Sequence, residues 1–155
     1  MVEPSTRKRE ECLRRWSTDF VHAMNRISFT PGNAFVSSDS PRFPYTVVFE
    51  DDGETGYFYA INRELVGDQI VDAAHIYNVE SVADGKKESE ATIIWSSDGF
   101  KAALLINEYP HAVFDFKGKR GYCRTDFPNT AHSPNGDWIT DTHRWDDAVM
   151  AAFQV

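Results

Sequence analysis

The stretch of sequence that decides the fold is residues 45–62, YTVVFEDDGETGYFYAIN. Residues 45–49 and 56–62 are rich in Val, Tyr and Phe, which are typical of β-strands. Asp52-Gly53 lies between them, and an Asp-Gly pair readily adopts the positive φ angles that a tight hairpin needs. The stretch therefore predicts two antiparallel strands joined by an acidic turn.

The same pattern continues along the chain. Residues 91–95 and 100–106 flank a second turn, and two more short connections follow at residues 107–110 and 117–121. Residues 69–79 fit either a strand or a short helix, and the β-branched and aromatic end of that segment favours the strand. Successive short connections predict a meander of five or more antiparallel strands.

Apolar residues at helical spacing mark both ends of the chain. From about Thr6 to Ile27 they recur at three- and four-residue steps, and a similar stripe begins near His143. The expected fold is therefore α+β, a single domain over residues 1–155 in which an N-terminal and a C-terminal helix cover the antiparallel sheet. The large side chains expected in the core are Leu13, Trp16, Phe20, Trp95, Leu105, Phe114, Trp145 and Phe153.

Charge is distributed unevenly along the chain, whose formal net charge is −8. Residues 1–27 carry six basic and four acidic side chains, a charge of +2, so the remainder carries −10. An acidic surface repels phosphate backbones, which argues against nucleic acid as a partner and in favour of a basic protein. The alternative is that the charge serves solubility alone.

The expected location is the cytoplasm. No apolar segment follows the charged residues 1–11, and no stretch approaches the roughly 20 apolar residues that span a bilayer, so no membrane partner is expected. Cys12 and Cys123 are far apart and form no CxxC pair, which is typical of two buried thiols in a reducing compartment.

The first turn is the main candidate for partner binding. Glu50, Asp51, Asp52 and Glu54, here called the acidic tip, are followed by Tyr57-Phe58-Tyr59. Because side chains alternate along a strand, Tyr57 and Tyr59 should share one sheet face and Phe58 should take the other. Carboxylates beside exposed aromatic rings are typical of protein recognition, although a solvated turn would look the same. The candidate partner-binding residues are Glu50, Asp51, Asp52, Glu54, Tyr57 and Tyr59.

Catalytic motifs are missing from the sequence. It contains no nucleotide-binding glycine motif, no G-x-S-x-G and no H-E-x-x-H, so we expect a non-enzymatic protein without a cofactor. The residues that come nearest to a metal set are Asp126, His132, Asp137, Asp141 and His143. Loops gather such residues for turn chemistry as well, and the expectation is no metal.

The alternative function is a small-ligand-binding protein or an enzyme. It would use a pocket on a sheet face near His111, Asp115 and residues 124–143. His111 and Asp115 should lie on the same face of one strand, about 13 Å apart, which is too far for a direct hydrogen bond.

Several short runs together resemble a known bacterial family. They are Phe49-Glu50-Asp51-Asp52-Gly53-Glu54-Thr55-Gly56-Tyr57-Phe58-Tyr59-Ala60, Ile76-Tyr77-Asn78-Val79, Trp95-Ser96-Ser97-Asp98-Gly99, Ala112-Val113-Phe114-Asp115-Phe116 and Gly121-Tyr122-Cys123-Arg124. On these runs, residues 30–150 resemble the uncharacterised bacterial proteins grouped as domain of unknown function 2251. The resemblance implies a bacterial origin and carries over no catalytic residue. Small acidic bacterial proteins of this style include immunity proteins, so an inhibitor of a basic toxin is the most concrete expectation.

Overall fold

The computed structural model describes residues 21–153 except positions 84, 86, 126 and 128–135. Within these residues the chain forms nine β-strands and two short 3₁₀ helices. The strands are β1 (Val21–Phe29), β2 (Ala34–Asp39), β3 (Tyr45–Asp51), β4 (Thr55–Asn62), β5 (Ile70–Asn78), β6 (Ser89–Ser96), β7 (Lys101–Ile106), β8 (Tyr109–Asp115) and β9 (Arg120–Cys123). The 3₁₀ helices are Val79–Ser81 and Asp147–Phe153.

The strands form two antiparallel sheets, one with the order β2-β3-β4-β5 and the other β1-β6-β7-β8-β9. Within each sheet, consecutive strands are joined by short connections, as the meander pattern predicts. The acidic hairpin forms as expected, with Phe49 paired to Phe58 and Gly53 at a φ of 101°. The preferred strand at residues 69–79 is confirmed as β5. Strand β1 is the exception to the meander, because it pairs with β6 although all four strands of the other sheet lie between them in the sequence.

The main hydrophobic core lies between the two sheets. Phe58 of β4 stacks on Phe114 of β8 with ring centroids 5.0 Å apart, and a buried hydrogen bond of 3.0 Å joins Trp95 Nε1 to Ser38 Oγ. Inward-facing apolar residues of both sheets thus exclude water from a shared interior, which supplies most of the driving force for folding. Of the residues expected in the core, Trp95, Leu105, Phe114 and Phe153 are buried and Trp145 is partly buried.

The expected α+β class is wrong, and the described chain is almost entirely β. The N-terminal helix was expected to reach Ile27, but residues 21–29 form β1. Residues 6–20 of that helix lie outside the described residues. They include Leu13, Trp16 and Phe20, which were expected in the core. Both faces of β6 are buried, so its edge needs a pairing strand, and β1 provides the backbone hydrogen bonds for that edge. A segment of nine residues, such as β1, can fit a helical and an alternating pattern equally well.

The expected C-terminal helix is also wrong in form. Residues 143–146 are not helical, and Asp147–Phe153 is a 3₁₀ helix. A segment this short gains little from α-helical hydrogen bonding, since the first turn is costly to form. Its apolar side chains are nevertheless used as expected. Met150 and Phe153 are buried against Ile94, Leu105 and Val113, on the outer face of the five-stranded sheet.

Residues 138–144 close the edge of the sandwich beside β9. Isolated parallel bridges join Ile139 to Arg120 and Arg144 to Cys123. Trp138 enters the main core, where its ring meets Phe116 edge-on at 5.3 Å. The free edge of β9 is therefore partly paired by the chain itself, which reduces its capacity to pair with another molecule.

Candidate functional site

The acidic tip contains one buried carboxylate. Asp51 is only 3% exposed, and its side chain accepts three hydrogen bonds. Oδ2 accepts from Gly32 N at 2.6 Å and from the Tyr77 hydroxyl at 2.6 Å, while Oδ1 accepts from Gly53 N at 2.9 Å. The alternative of a solvated turn is therefore wrong for Asp51, which holds two turns and a tyrosine in place. This residue leaves the set of candidate partner contacts.

Tyr77 reaches Asp51 because Gly56 leaves room for its ring. A Cβ on Gly56 would lie 2.7 Å from Tyr77 Cζ, closer than side-chain atoms approach one another. Burial and the neighbouring Asp51 carboxylate raise the pKa of Tyr77 far above that of a free tyrosine. The phenol therefore remains protonated and donates permanently to Asp51.

The other acids of the tip face solvent. Asp52 is exposed, and it accepts hydrogen bonds from Glu54 N and Thr55 N at 2.9 Å each, which lowers the pKa of its carboxyl. Glu54 is exposed and Glu50 is partly exposed. Beside them, a polar notch of about 450 Å³ lies between the hairpin and the first 3₁₀ helix, lined by Glu54 and Glu80. Three carboxylates of the tip and one of the helix are thus accessible to a partner.

The outer surface of the four-stranded sheet carries a band of aromatic and apolar side chains, here called the aromatic face. Tyr57 and Tyr59 lie on it with ring centroids 5.7 Å apart, whereas Phe58 is buried on the opposite side, as expected. Phe35 and Ile70 are 61% and 39% exposed there. The outward side chains that make up the aromatic face are Phe35, Val48, Glu50, Tyr57, Tyr59, Ile61, Ile70 and His75.

Strand register places four of these side chains in a single row. Phe35 is opposite Glu50, Glu50 is opposite Tyr57, and Tyr57 is opposite His75. The rings of Tyr57 and His75 stack at 5.0 Å, and Phe127 continues the row with its ring 4.4 Å from that of His75. Neighbouring side chains in such a row contact each other directly. Phe35 and His75 were missed by the sequence reasoning, because only the register between β2, β3, β4 and β5 brings them beside Glu50.

Negative charge is concentrated in the half of the molecule that carries this face. Residues 34–80, which include the four-stranded sheet, contain nine acidic and two basic side chains, a formal charge of −7. Residues 89–123, which form β6–β9, contain four of each and are neutral. Partial burial and the charge of Glu50 raise the pKa of Tyr59 above its ordinary value, so its hydroxyl stays protonated. Residues 34–80 therefore account for most of the chain's negative charge.

The late loop does not gather its metal candidates within the described residues. Asp126 and His132 lie outside them. Asp137 pairs with Lys119 at 2.7 Å, and Asp141 is exposed. His143 is 2% exposed, and its Nε2 lies 2.8 Å and 3.0 Å from the two carboxylate oxygens of the buried Asp72. No group of three or more metal-ligating side chains occurs in the part of the chain that the structure describes. The Asp72–His143 pair joins β5 to the closing segment 138–144.

His111 and Asp115 take part in different local structures. Asp115 Oδ1 accepts hydrogen bonds from Lys117 N and Gly118 N, which fixes the β8–β9 turn. His111 instead lines an apolar cavity at the end of the sandwich. Burial and the nearby Arg124 cation lower the pKa of His111 to about 4, so its imidazole is neutral near pH 7. Of the two residues named for the alternative ligand site, His111 therefore lines the cavity and Asp115 does not.

Comparison with known proteins gives a family and no activity. Residues 29–154 match the family model described as an uncharacterised protein conserved in bacteria, DUF2251. The chain belongs to the DUF2251 family. The match includes β2–β9, and with them the acidic tip and the aromatic face, as the resemblance of residues 30–150 implied.

This DUF2251 member is also similar to an uncharacterised protein of Haemophilus influenzae. The two are 48% identical over 84 residues, which cover 54% of this chain and 52% of that protein. The chain thus matches about half the length of that curated relative. No solved structure matches the chain. Among the residues that the structure describes, no helix is long and apolar enough to cross a bilayer.

Proposed function

We propose that this protein is a non-enzymatic recognition module that binds a basic protein through the aromatic face and the acidic tip. The observation that carries the proposal is the row Phe35, Glu50, Tyr57 and His75, in which a carboxylate lies between two aromatic side chains on an exposed sheet surface. Exposed apolar patches of this kind typically mark interaction sites.

Charge selects the class of partner. The four-stranded half carries the formal charge of −7, and the polar notch at the acidic tip is lined by Glu54 and Glu80. A lysine or arginine side chain would find the Glu50 carboxylate directly beside the Tyr57 ring, where a cation–π contact adds to the attraction. Nucleic acid is disfavoured as a partner because its phosphates would be repelled by the same charges.

An immunity-type inhibitor of a basic toxin is the concrete case of this proposal. A nuclease must bind phosphate, so its active site is positively charged, and an acidic surface can block it by charge complementarity. Such a partner would act inside the cell that makes the inhibitor, so the proposal includes a cytoplasmic location.

The test compares variants that separate charge from aromatic contact. The first step uses the full chain as bait in a bacterial host of the family and identifies the protein that the wild-type chain retains. Binding kinetics are then measured at two salt concentrations. The charge variant E50Q/D52N/E54Q leaves Asp51 intact and should slow association and flatten its salt dependence, since exposed charges steer encounter. The aromatic variant Y57S/Y59S should mainly speed dissociation, because buried rings hold the complex together.

A matched control removes the same charge elsewhere. The variant E64Q/D68N/D141N neutralises three exposed acids, two of them at the opposite end of the four-stranded sheet. It should leave association close to wild type. A partner whose kinetics ignore the charge and aromatic variants, or that responds equally to the control, would refute the proposed surface.

A further inference from the structure

The end of the sandwich holds a second feature, independent of the aromatic face. A cavity of about 310 Å³ lies between Ile76, Tyr77 and Asn78 of β5, Ser81 and Val82 at the first 3₁₀ helix, Ile106 of β7, His111 of β8, and Thr125 and Phe127. Its volume is at the lower end of the range of small-molecule sites, which is about 300–1,000 Å³. We refer to it as the His111 pocket.

Most polar groups that line the His111 pocket are already occupied by the protein. The Thr125 hydroxyl donates to His75 O at 2.6 Å, and Asn78 Oδ1 lies 2.9 Å from His75 Nε2. The Tyr77 hydroxyl donates to Asp51. Among the described residues, no hydrogen bond is made by the His111 ring, whose ring contact is with Tyr109 at 5.7 Å. The pocket thus offers an apolar interior with one ring that is free to form a hydrogen bond.

We propose that the His111 pocket binds a small, uncharged, mainly aromatic molecule that forms one hydrogen bond with the His111 imidazole. The rings of Tyr77, His111 and Phe127 line the cavity together with aliphatic side chains, and flat apolar ligands pack well against such walls. A neutral imidazole has one N–H donor and one nitrogen acceptor, which suits a hydroxyl or carbonyl group. A ligand anion would lose its hydration in the apolar interior, and a neutral imidazole would not compensate the charge. The nearby Arg124 guanidinium is already engaged by Pro110 O, by Asp147 and by the ring of Trp145.

This proposal does not depend on the proposed function. Asn78, Thr125 and Phe127 line the cavity and also contact His75, but the variants that test the two proposals share no residue. Loss of ligand binding therefore says nothing against the protein partner, and loss of the partner says nothing against the ligand.

The first experiment titrates the full-length protein with phenol, toluene and benzoate at pH 7, followed by two-dimensional amide NMR. Phenol is neutral at this pH and has one hydroxyl, toluene has the ring without it, and benzoate has the ring with a charge. Phenol should give saturable shifts at Ile76, Val82, Ile106, His111 and Thr125. Benzoate should bind at least about tenfold more weakly, a difference of about 1.4 kcal/mol. Absence of saturable shifts with phenol and toluene, or equal affinity for benzoate, would overturn the proposal.

Two variants then locate the site. Val82→Trp fills the cavity and should abolish saturation by both neutral probes, whereas Val66→Trp, at a fully exposed position, should change neither affinity. His111→Phe keeps a ring of similar shape and removes the ring nitrogens. It should weaken phenol about tenfold and leave toluene unchanged, which separates the hydrogen bond from packing. If Val82→Trp binds both probes like wild type, or if His111→Phe affects phenol and toluene equally, the assignment is wrong.

Discussion

The hydrogen bonds of Asp51 predict that two neighbouring aspartates respond very differently to the same substitution. In Asp51→Asn, one carboxylate oxygen becomes an NH₂ group. If the remaining oxygen still accepts from Gly53 N, the NH₂ group faces Gly32 N and the Tyr77 hydroxyl. In the wild-type protein both of these groups donate to Asp51 Oδ2. Hydrogen bonds to a charged group contribute about 1.5–3 kcal/mol each. Two lost bonds therefore predict a loss of about 3–6 kcal/mol.

The lower end of that range is the better expectation. The Tyr77 hydroxyl can rotate and accept a hydrogen bond from the new NH₂ group, so one of the two contacts is partly restored. We therefore expect Asp51→Asn to reduce the free energy of unfolding by about 3 kcal/mol, a large share of the stability of a small domain. Asp52→Asn alters an exposed side chain and should leave the midpoint of unfolding nearly unchanged.

Urea denaturation followed by tryptophan fluorescence and circular dichroism measures this difference. Both variants should unfold with the slope of the wild type, so that the shift in midpoint reports stability. Tyr77→Phe is the control that removes one donor and keeps the ring, and it should cost about 1–2 kcal/mol. A loss below about 1 kcal/mol for Asp51→Asn, or equal losses for the two aspartate variants, would refute the structural role assigned to Asp51.

The burial of His111 and the close packing of Gly56 each predict a measurable effect on stability. Because the pKa of His111 is lowered from 6.5 to about 4, the unfolded chain binds a proton before the folded one as pH falls, so stability decreases between pH 7 and pH 5.5. At about 1.4 kcal/mol per pH unit, His111 accounts for about 1 kcal/mol of that decrease, which should be absent in urea titrations of His111→Asn; an equal decrease in both proteins would contradict it. Gly56→Ala should reduce the free energy of unfolding by about 2–3 kcal/mol, because the new Cβ displaces the Tyr77 ring. Gly85→Ala is the control, since its nearest atom would be 3.5 Å away, and it should be nearly neutral in the same assay. Comparable losses in the two variants would argue against the close packing of Gly56.

The hairpins could be predicted from sequence because their signals are local. Each of the two turns, at residues 52–53 and 98–99, contains an Asp-Gly pair that favours a tight turn. Both pairs lie within a few residues of the strands that they join. Strand β1 could not be predicted in this way. Its partner β6 lies about sixty residues further along the chain, and no local sequence pattern near Val21–Phe29 predicts that pairing.

The candidate site was predictable only in part, for a similar reason. The alternation of residues 57–59 gives the side of the sheet on which Tyr57 and Tyr59 lie. The burial of Asp51 depends on Gly32 and Tyr77, which approach it from a turn and a strand that are distant in sequence. A carboxylate in a turn has the same local pattern whether it faces water or three donors.

The pairing of β1 with β6 has a consequence for the order of folding. The strands β2–β5 are joined by short connections, so the four-stranded sheet can form early from contacts that are close in sequence. Strand β1 must instead wait until residues 89–96 are available, and closing so long a loop slows the step. Of the nine described strands, β1 is synthesised first and pairs late. Until then its backbone groups stay unpaired and open to association with other chains, so β1 is the segment that chaperones would have most reason to shield.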